Sequence, residues 1–544
     1  MKKQLLFLSI IFTTLIINAQ NTIGTVDVTN DAYEGYTLFT THKNTYLINN
    51  CGQVINKWES DFLPGNSVYL LPNGNLLRAG RSNGQSDIVF GGTGGNIELF
   101  NWEGEKIWSY SVNNNEQRQH HDVFPMPNGN ILILIAEDWS GEDAIKAGRD
   151  PLKISDNELL YNEKILEVKP IGNNQVEEIW EWNIKDHLVQ DFDATKDNFG
   201  TVSEFPGRLD VNFINGNGVN SNWLHVNSIQ YNEKLDQIVL SSRNLSEIWV
   251  IDHSTTTEEA KTSSGGNSNL GGDFLYRWGN PQSYQRGTEN DRKLYGQHFP
   301  HFIEEGFQDA GKILLFNNGN GRTPGFSEVM VINPPLINNL YQLPSNNAYS
   351  PSNPDYVYSK FVADNESEFY SAILSGAQRL KNGNTLICEG TKGRFFEIDT
   401  NDNIVWEYIA PIRNNDGQIY NQGDLAVNNT IFRATKYGVD YEAFIGRNLT
   451  VGDPIENDFN LNPCNKLSVD QFSFNEFTLY PNPTKGILNL AKEVDKIEIF
   501  SVLGTQLAEF KNTKQIDVFG FKTGVYLVKT YKDDTVFTSK FIKN

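Results

Sequence analysis

Eight histidines occur in 544 residues, and seven of them fall between His120 and His301. Imidazole titrates nearest neutrality of all side chains, so it serves as nucleophile, proton carrier or metal ligand. The gathering is either a site or an accident of composition, and an internal repeat discriminates. Three segments are alike: "LPNGNLL" from Leu71, "MPNGNIL" from Met126 and "LKNGNTL" from Leu380. Asn-Gly between apolar runs predicts a hairpin in which both turn residues take positive φ. Counting back from the turn, His121 lies seven residues before Asn128, His225 seven before Asn232 and His298 seven before Glu305. Asn66 and Ser375 hold that slot in other copies. Core packing does not select a single repeat position, so His121, His225 and His298 are expected to project into one space.

The neighbours sort around those three. His120 adjoins His121 in a strand and is expected on the opposite face. His301 is expected to be a bystander of His298. Arg243 ends the strand that should pair with the His225 strand, where its fork of donors would meet an anion; the alternative is a surface salt bridge. His187, in an insertion, is expected to line the mouth. His120, His187 and His301 are therefore the outer, substrate-binding candidates, whereas His42 and His253 carry no positional signal. Three imidazoles and a guanidinium suit a three-histidine metal site or group transfer involving an anionic ester, with histidine as nucleophile or acid. Arg243 disfavours a cation in the same pocket, and Pro300 disfavours a helix for the His298–His301 pair. No cysteine pair has zinc spacing. The expectation is a site without metal or cofactor.

The elements that must hold these residues are strands. A strand–turn–strand unit ending in tryptophan recurs at Trp58, Trp108, Trp180, Trp278 and Trp406, with a degraded copy from Val329 to about Tyr358. Six copies predict an all-β chain, a six-bladed β-propeller over residues 21–450; two stacked sandwiches are the alternative. Residues 451–472 read as a polar linker, and 473–544 as short alternating strands forming a small C-terminal β-sandwich. The first 20 residues, two lysines, an apolar run and a small-residue end at Ala19, read as a secretory signal peptide rather than a retained anchor. The net charge of −22 excludes nucleic acid as partner. Cys51, Cys388 and Cys464 allow at most one disulfide, and the fold is not expected to rest on it.

Several stretches carry a resemblance: "HHDVFPMPNGNIL", "WEWNIKDHL", "WLHVNSIQYN", "SSRNLSEIWVID", "FLYRWGNPQ", "GQHFPHF" and "GAQRLKNGNTL". They resemble the bacterial arylsulfotransferase family of secreted six-bladed propellers. The resemblance implies transfer of a sulfuryl group from a phenolic sulfate donor to a phenol acceptor, without a nucleotide sulfate, through a transiently sulfated histidine. It makes His298 the nucleophile. It makes His121, His225 and Arg243 the groups that hold the sulfuryl oxygens and protonate the leaving phenolate. Two departures stand out: Phe299 and Pro300 follow His298 where the family often has an acidic residue, and no cysteine lies near His298. At the C-terminus "YPNP", "GILNL", "VLG" and "TGVYLVK" resemble the sorting domain of type IX secretion cargo. That implies export through the periplasm, recognition by the type IX machinery, a secreted or surface location and, usually, removal of the domain.

Two other readings stay open on the residues alone: an ester hydrolase with water as acceptor, and a non-catalytic propeller binding glycans or surface proteins. The C-terminal strands could likewise be an adhesion or carbohydrate-binding module. Because a cation is unfavourable beside Arg243, exhaustive chelation is expected to leave full activity. A loss restored by zinc would overturn the metal-free site.

Overall fold

A computed structural model describes residues 21–544 apart from 83, 85, 156–157, 217, 339, 344–346, 361–367, 466–478, 503 and 533–534. The expected signal peptide, the last third of the expected linker and the start of the expected C-terminal domain lie outside the described residues. The chain is all-β, 44% strand and 7% helix, and divides into two units, Met1–Leu467 and Ser468–Asn544.

Among the described residues, the larger unit contains six antiparallel sheets of four or five strands, besides two short two-stranded pairs. Their leading strands are Leu63–Leu70, Gln117–Pro125, Val226–Asn232, His298–Phe302, Gly376–Arg379 and Ala434–Gly438. Each of the first five leads a sheet whose next three strands follow in chain order. The sixth, Ala434–Gly438, instead pairs with Gly35–Thr41 from the other end of the chain. Reciprocally, Gly24–Val28 pairs with Ile404–Ile409 at the far edge of the sheet led by Gly376–Arg379. Each leading strand packs on the next. Ala434–Gly438 meets Gly376–Arg379, and its partner Gly35–Thr41 meets Leu63–Leu70, so the series returns to its start.

The recurrent tryptophan has a physical role in this series. Each indole is buried and donates to the following sheet or the loop leading into it: Trp58 Nε1 to Asn101 O at 2.9 Å, Trp108 to Gln175 O at 3.1 Å, Trp180 to Thr255 Oγ1 at 3.1 Å, Trp278 to Pro351 O at 2.7 Å and Trp406 to Asn50 O at 2.8 Å. In the degraded copy the Tyr356 hydroxyl donates to Asp402 instead. A large apolar ring carrying one donor can fill the gap between sheets and still satisfy its N–H.

The repeated Asn-Gly turn differs from expectation. Only its glycine has positive φ, +84° at Gly74, +87° at Gly129 and +93° at Gly383. The preceding asparagine uses its side chain: Asn73, Asn128 and Asn382 Oδ1 accept the backbone N–H of Asn75, Asn130 and Asn384 at 3.0, 2.9 and 3.1 Å. These loops are longer than a two-residue hairpin, so a single left-handed glycine closes them.

The stretch expected to begin a linker is instead docked. Gly452 N donates to Val54 O at 2.9 Å and Val54 N to Asp453 O at 3.2 Å, and Cys464 forms a disulfide with Cys51 across 413 residues of sequence. Cys388 is free and buried. The smaller unit has four strands, Ile487–Ser501, Gln506–Asp517, Gly524–Lys532 and Thr535–Lys543. They join one sheet, where two facing layers were expected, and the pairing of the first two is interrupted between Asn489 and Val494. Leu488, Val494, Ile497, Ile499, Val528 and Phe541 form its core.

A cross-link over so long a loop restricts the unfolded chain strongly. Cys51→Ser is therefore expected to cost about 2–4 kcal/mol, read as a lower unfolding midpoint. Reductant should reproduce the shift in the wild type and add nothing to the variant; an unchanged midpoint would show that packing alone holds the docked segment.

Candidate active site

The leading strands are not regular. Pairing skips between Pro64 and Val68, between Gln119 and Val123, between Val226 and Ile229, and between His298 and His301. Such bulges break the alternation of faces and re-aim side chains. Positive φ occurs at Asn66, His121, His225, Phe299 and Ser375, with 49° at His121 and 48° at His225. The seven-residue offset is thus not a register equivalence. Relative to the first paired residue after each bulge, His121 is two before Val123, His225 four before Ile229 and His298 three before His301. The three imidazoles still converge, each by its own local path.

The His121 and His225 ring centroids are 4.7 Å apart. Phe432 lies 6.3 Å from His121 and 6.3 Å from His298, and Phe90 packs on His120, His121 and His225. Gly92 closes one side of His121. A Cβ on Gly92 would stand 2.1, 2.3 and 2.4 Å from Nε2, Cε1 and Cδ2, over the ring face rather than in line with the nitrogen.

Hydrogen bonds fix which nitrogen of His298 is free. Asn318 Nδ2 donates to the Ser371 and Leu374 carbonyls at 2.8 and 2.9 Å, which turns Asn318 Oδ1 toward His298 Nδ1 at 2.7 Å. An amide oxygen only accepts, so His298 Nδ1 carries the proton and Nε2 keeps its lone pair. Burial, then the Arg243 charge, holds the His298 pKa at about 3, against the smaller opposing effect of hydrogen bonds to Asn318 and Gly296. At neutral pH the ring is uncharged. Asn222 Nδ2 donates to His225 Nδ1 at 2.6 Å, leaving Nε2 of that ring as the N–H. Burial lowers His225 well below the ordinary histidine value, aided by Arg243, His120 and His298. Burial does the same for His121, aided by His225, His120, His298 and Arg243.

Arg243 is half-buried, and among the described residues it forms no ion pair; it donates to Asn244 Oδ1 at 3.1 Å. Burial alone lowers its pKa. The nearby carboxylates are already engaged. Asp122 accepts from Arg433 at 3.0 and 3.2 Å, from the Tyr69 hydroxyl at 3.0 Å and from the Ile229 amide at 3.3 Å. Arg433 stacks over Phe299, its guanidinium carbon 4.0 Å from the ring centroid. Burial lowers the Arg433 pKa, but Asp122 and Tyr69 together outweigh it and the net shift is upward. Glu163 pairs with His120 Nε2 at 2.9 Å. Beside Phe432 opens a cavity of about 140 Å³ lined also by Leu374, Pro64, Asn66, Arg81 and His42. Asn66 Nδ2 is buried there without a partner.

A guanidinium without an ion pair among the described residues, set beside neutral imidazoles, is an environment that favours an anion over a cation. The comparisons agree: the family model "Arylsulfotransferase (ASST)" matches residues 26–433. The chain belongs to the arylsulfotransferase family. A second model, the secretion system C-terminal sorting domain, matches residues 478–544. The protein is thus an exported member, secreted or held at the cell surface. A search of curated proteins finds no significant match.

Among solved structures, a protein of unknown function from Bacteroides caccae is 12% identical, with 74% of this chain and 98% of that one covered at a TM-score of 0.38. A streptogramin B lyase is 10% identical, with 77% and 96% covered at 0.33. A periplasmic gluconolactonase from Pseudomonas aeruginosa is 9% identical, with 74% and 99% covered at 0.35.

Not every expected residue joins this arylsulfotransferase site. His187, expected at the mouth, has 0% exposure. It bonds Asp273 Oδ1 and Ala260 O, both at 2.8 Å, and stacks on Trp182, so it ties the insertion down. His301 lies against the Phe299 ring and bonds the Phe299 carbonyl at 3.2 Å, with no contact to the three converging imidazoles. His120 is not on the opposite face, because the bulge turns its Nδ1 to within 3.0 Å of His121 Nδ1. His253 bridges Glu167 and Asp236 at 3.0 and 2.7 Å, away from the site. Asn318, Asn222, Arg433, Asp122, Phe90 and Phe432 escaped the sequence reading. A repeat search for "NN" after the strand following His298 would have pointed to Asn318, whereas nothing local marks the others.

Neutral burial of three histidines has a sign. Their folded pKa values lie below the unfolded value, so the unfolded chain binds more protons in acid. The stability they permit is complete above about pH 6.5 and is expected to fall steadily as pH drops toward about 3, the His298 value. Thermal unfolding across that window measures it, and His298→Gln should flatten the slope. Gly92→Ala, at φ +95° and against the His121 ring, is expected to displace that ring and to cut turnover without preventing folding.

Proposed function

We propose that the protein transfers a sulfuryl group from a phenolic sulfate ester to a phenol, in two half-reactions through a sulfated His298. The observation that carries this is the neutral His298 ring with its lone pair on Nε2, in the field of the Arg243 guanidinium, which forms no ion pair among the described residues. In the first half-reaction the Nε2–S bond forms as the S–O(aryl) bond breaks. Arg243 and the His225 N–H hold the sulfuryl oxygens, where negative charge concentrates. His121 gives a proton to the departing phenolate. In the second, His121 takes the acceptor phenol's proton, the phenolate oxygen attacks sulfur, and His298 leaves as the neutral ring. A covalent intermediate divides one hard step into two and produces ping-pong kinetics. The cavity beside Phe432 would seat the aryl ring. No metal or cofactor enters the scheme.

The six sheets are read as six blades of one ring around this site. The closed series of leading-strand contacts and the tryptophan donors from sheet to sheet support that reading. The export route is read as passage through the periplasm and then the type IX machinery, with the C-terminal unit as the address.

The test is intact-protein mass spectrometry after mixing with a chromogenic aryl sulfate alone, kept from acid. One sulfuryl adduct on His298 and one equivalent of phenolate are expected, with steady turnover only after phenol is added. Continued release without phenol would make the enzyme a hydrolase, and no release would leave a binding propeller. His298→Ala should abolish adduct and burst together. Arg243→Ala should slow both half-reactions by about 10²–10³; a sulfated residue other than His298 would overturn the assignment.

A further inference from the structure

We propose that Glu163 and His120 form a proton store behind His121, so that His121 exchanges a proton with the phenol oxygen while the positive charge rests on His120 beside the Glu163 carboxylate. The proposal rests on the sulfuryl-transfer reading but is carried by its own geometry. Glu163 Oε2 is 2.9 Å from His120 Nε2, and His120 Nδ1 is 3.0 Å from His121 Nδ1. Glu163 Oε1 accepts the Val226 amide at 2.9 Å, which fixes the carboxylate. Exposure along the chain is 2%, 0% and 4% for Glu163, His120 and His121, so no bulk water competes.

Two facing Nδ1 atoms at that distance share one proton: one donates and the other accepts. Two arrangements follow. In the proton-poor one, Glu163 accepts from His120 Nε2–H, His120 Nδ1 accepts from His121 Nδ1–H, and His121 Nε2 has a lone pair. In the proton-rich one, His120 carries protons on both nitrogens, its Nδ1–H donates to His121 Nδ1, and neutral His121 holds its proton on Nε2. When a phenolate leaves, His121 Nε2 releases that proton to the oxygen, and the Nδ1 proton of His120 passes to His121. One proton is spent, and the chain is proton-poor. An acceptor phenol returns one by the reverse path.

The arrangement resolves a conflict in the site. His121 faces His225, His298 and Arg243, and these with burial keep it neutral, which is unfavourable for a group that must deliver a proton. Moving the charge one ring back sets it against a carboxylate instead. Among the described residues the other acid beside His121 is engaged elsewhere. Asp122, next in sequence, is occupied by Arg433, Tyr69 and the Ile229 amide. The remaining wall is Phe90, which packs on both rings and on Tyr161. Glu163 and His120 are thus positioning residues, acting only through His121.

The test is ring nitrogen NMR of the full chain labelled on its eight histidines, with His120→Gln and His121→Gln for assignment. In the wild type the first proton added on acidification should appear on His120 Nδ1, with His121 neutral and its Nε2 changing from lone-pair to N–H type. A cationic His121 would overturn the proposal, whether or not any variant folds. In Glu163→Gln the Val226 amide should hold the new carboxamide oxygen and turn its NH₂ to His120 Nε2. The tautomers should then invert, with His121 Nε2–H even in the proton-poor state. Transfer from sulfates of weakly acidic phenols should fall on the order of 10²-fold, and from strongly acidic phenols far less. Unchanged tautomers, or an equal loss for every leaving group, would reject the store. Absence of transfer by the wild type from every aryl sulfate would instead sink the functional reading, and the tautomers would still decide the relay.

Discussion

The Arg243 charge acts on three imidazoles and among the described residues forms no ion pair, and the character of the site follows from that one unbalanced charge. A partly buried guanidinium without an opposite charge is costly, and the Asn244 side-chain oxygen that accepts from it is neutral. Asp122 is spent on Arg433 and Glu163 on His120. Burial, aided by the same field, keeps the imidazoles neutral, which leaves His298 with a lone pair and His225 with a donor.

Much of this was legible in the chain. The tryptophans marked the ends of sheets because a strand that closes one layer and contacts the next favours a large ring with one donor. The positions of His121, His225 and His298 were found by counting from a turn; the first two rings pack together, and His298 shares the Phe432 ring with His121. The count succeeded although the strands bulge differently, because each bulge compensated for a turn of different length. The same bulges explain the misreading of His120. A period of two assumes an unbroken pleat, and in Gln117–Pro125 the pleat breaks at the residues in question.

Other failures have a common origin in distance along the chain. Arg433 reaches Asp122 from 311 residues away, and Asn318 reaches His298 across a hairpin. No local pattern announces Arg433, and only the paired asparagines after the strand that follows His298 mark Asn318. His187 looked like a mouth residue because it lies in an insertion, yet the insertion folds back and buries it against Trp182, Asp273 and Ala260. The polar, irregular stretch after residue 450 looked like a tether, but a β-bridge and the Cys51–Cys464 bond hold its first part on the sheet of Gly35–Thr41. Composition distinguishes regular from irregular backbone, not bound from unbound.

The exchange of strands between the two ends of the larger unit also orders its assembly in time. Gly24–Val28 waits for Ile404–Ile409, and Gly35–Thr41 waits for Ala434–Gly438. A chain delivered from its N-terminus, as an exported one is, can complete the four intervening sheets as they emerge. The two that share strands across the ends cannot close until nearly all of the unit has appeared, and the closure of so long a loop is entropically dear. Until then the wall carrying Phe432 and Arg433 is missing. A partly delivered chain would thus hold an incomplete site.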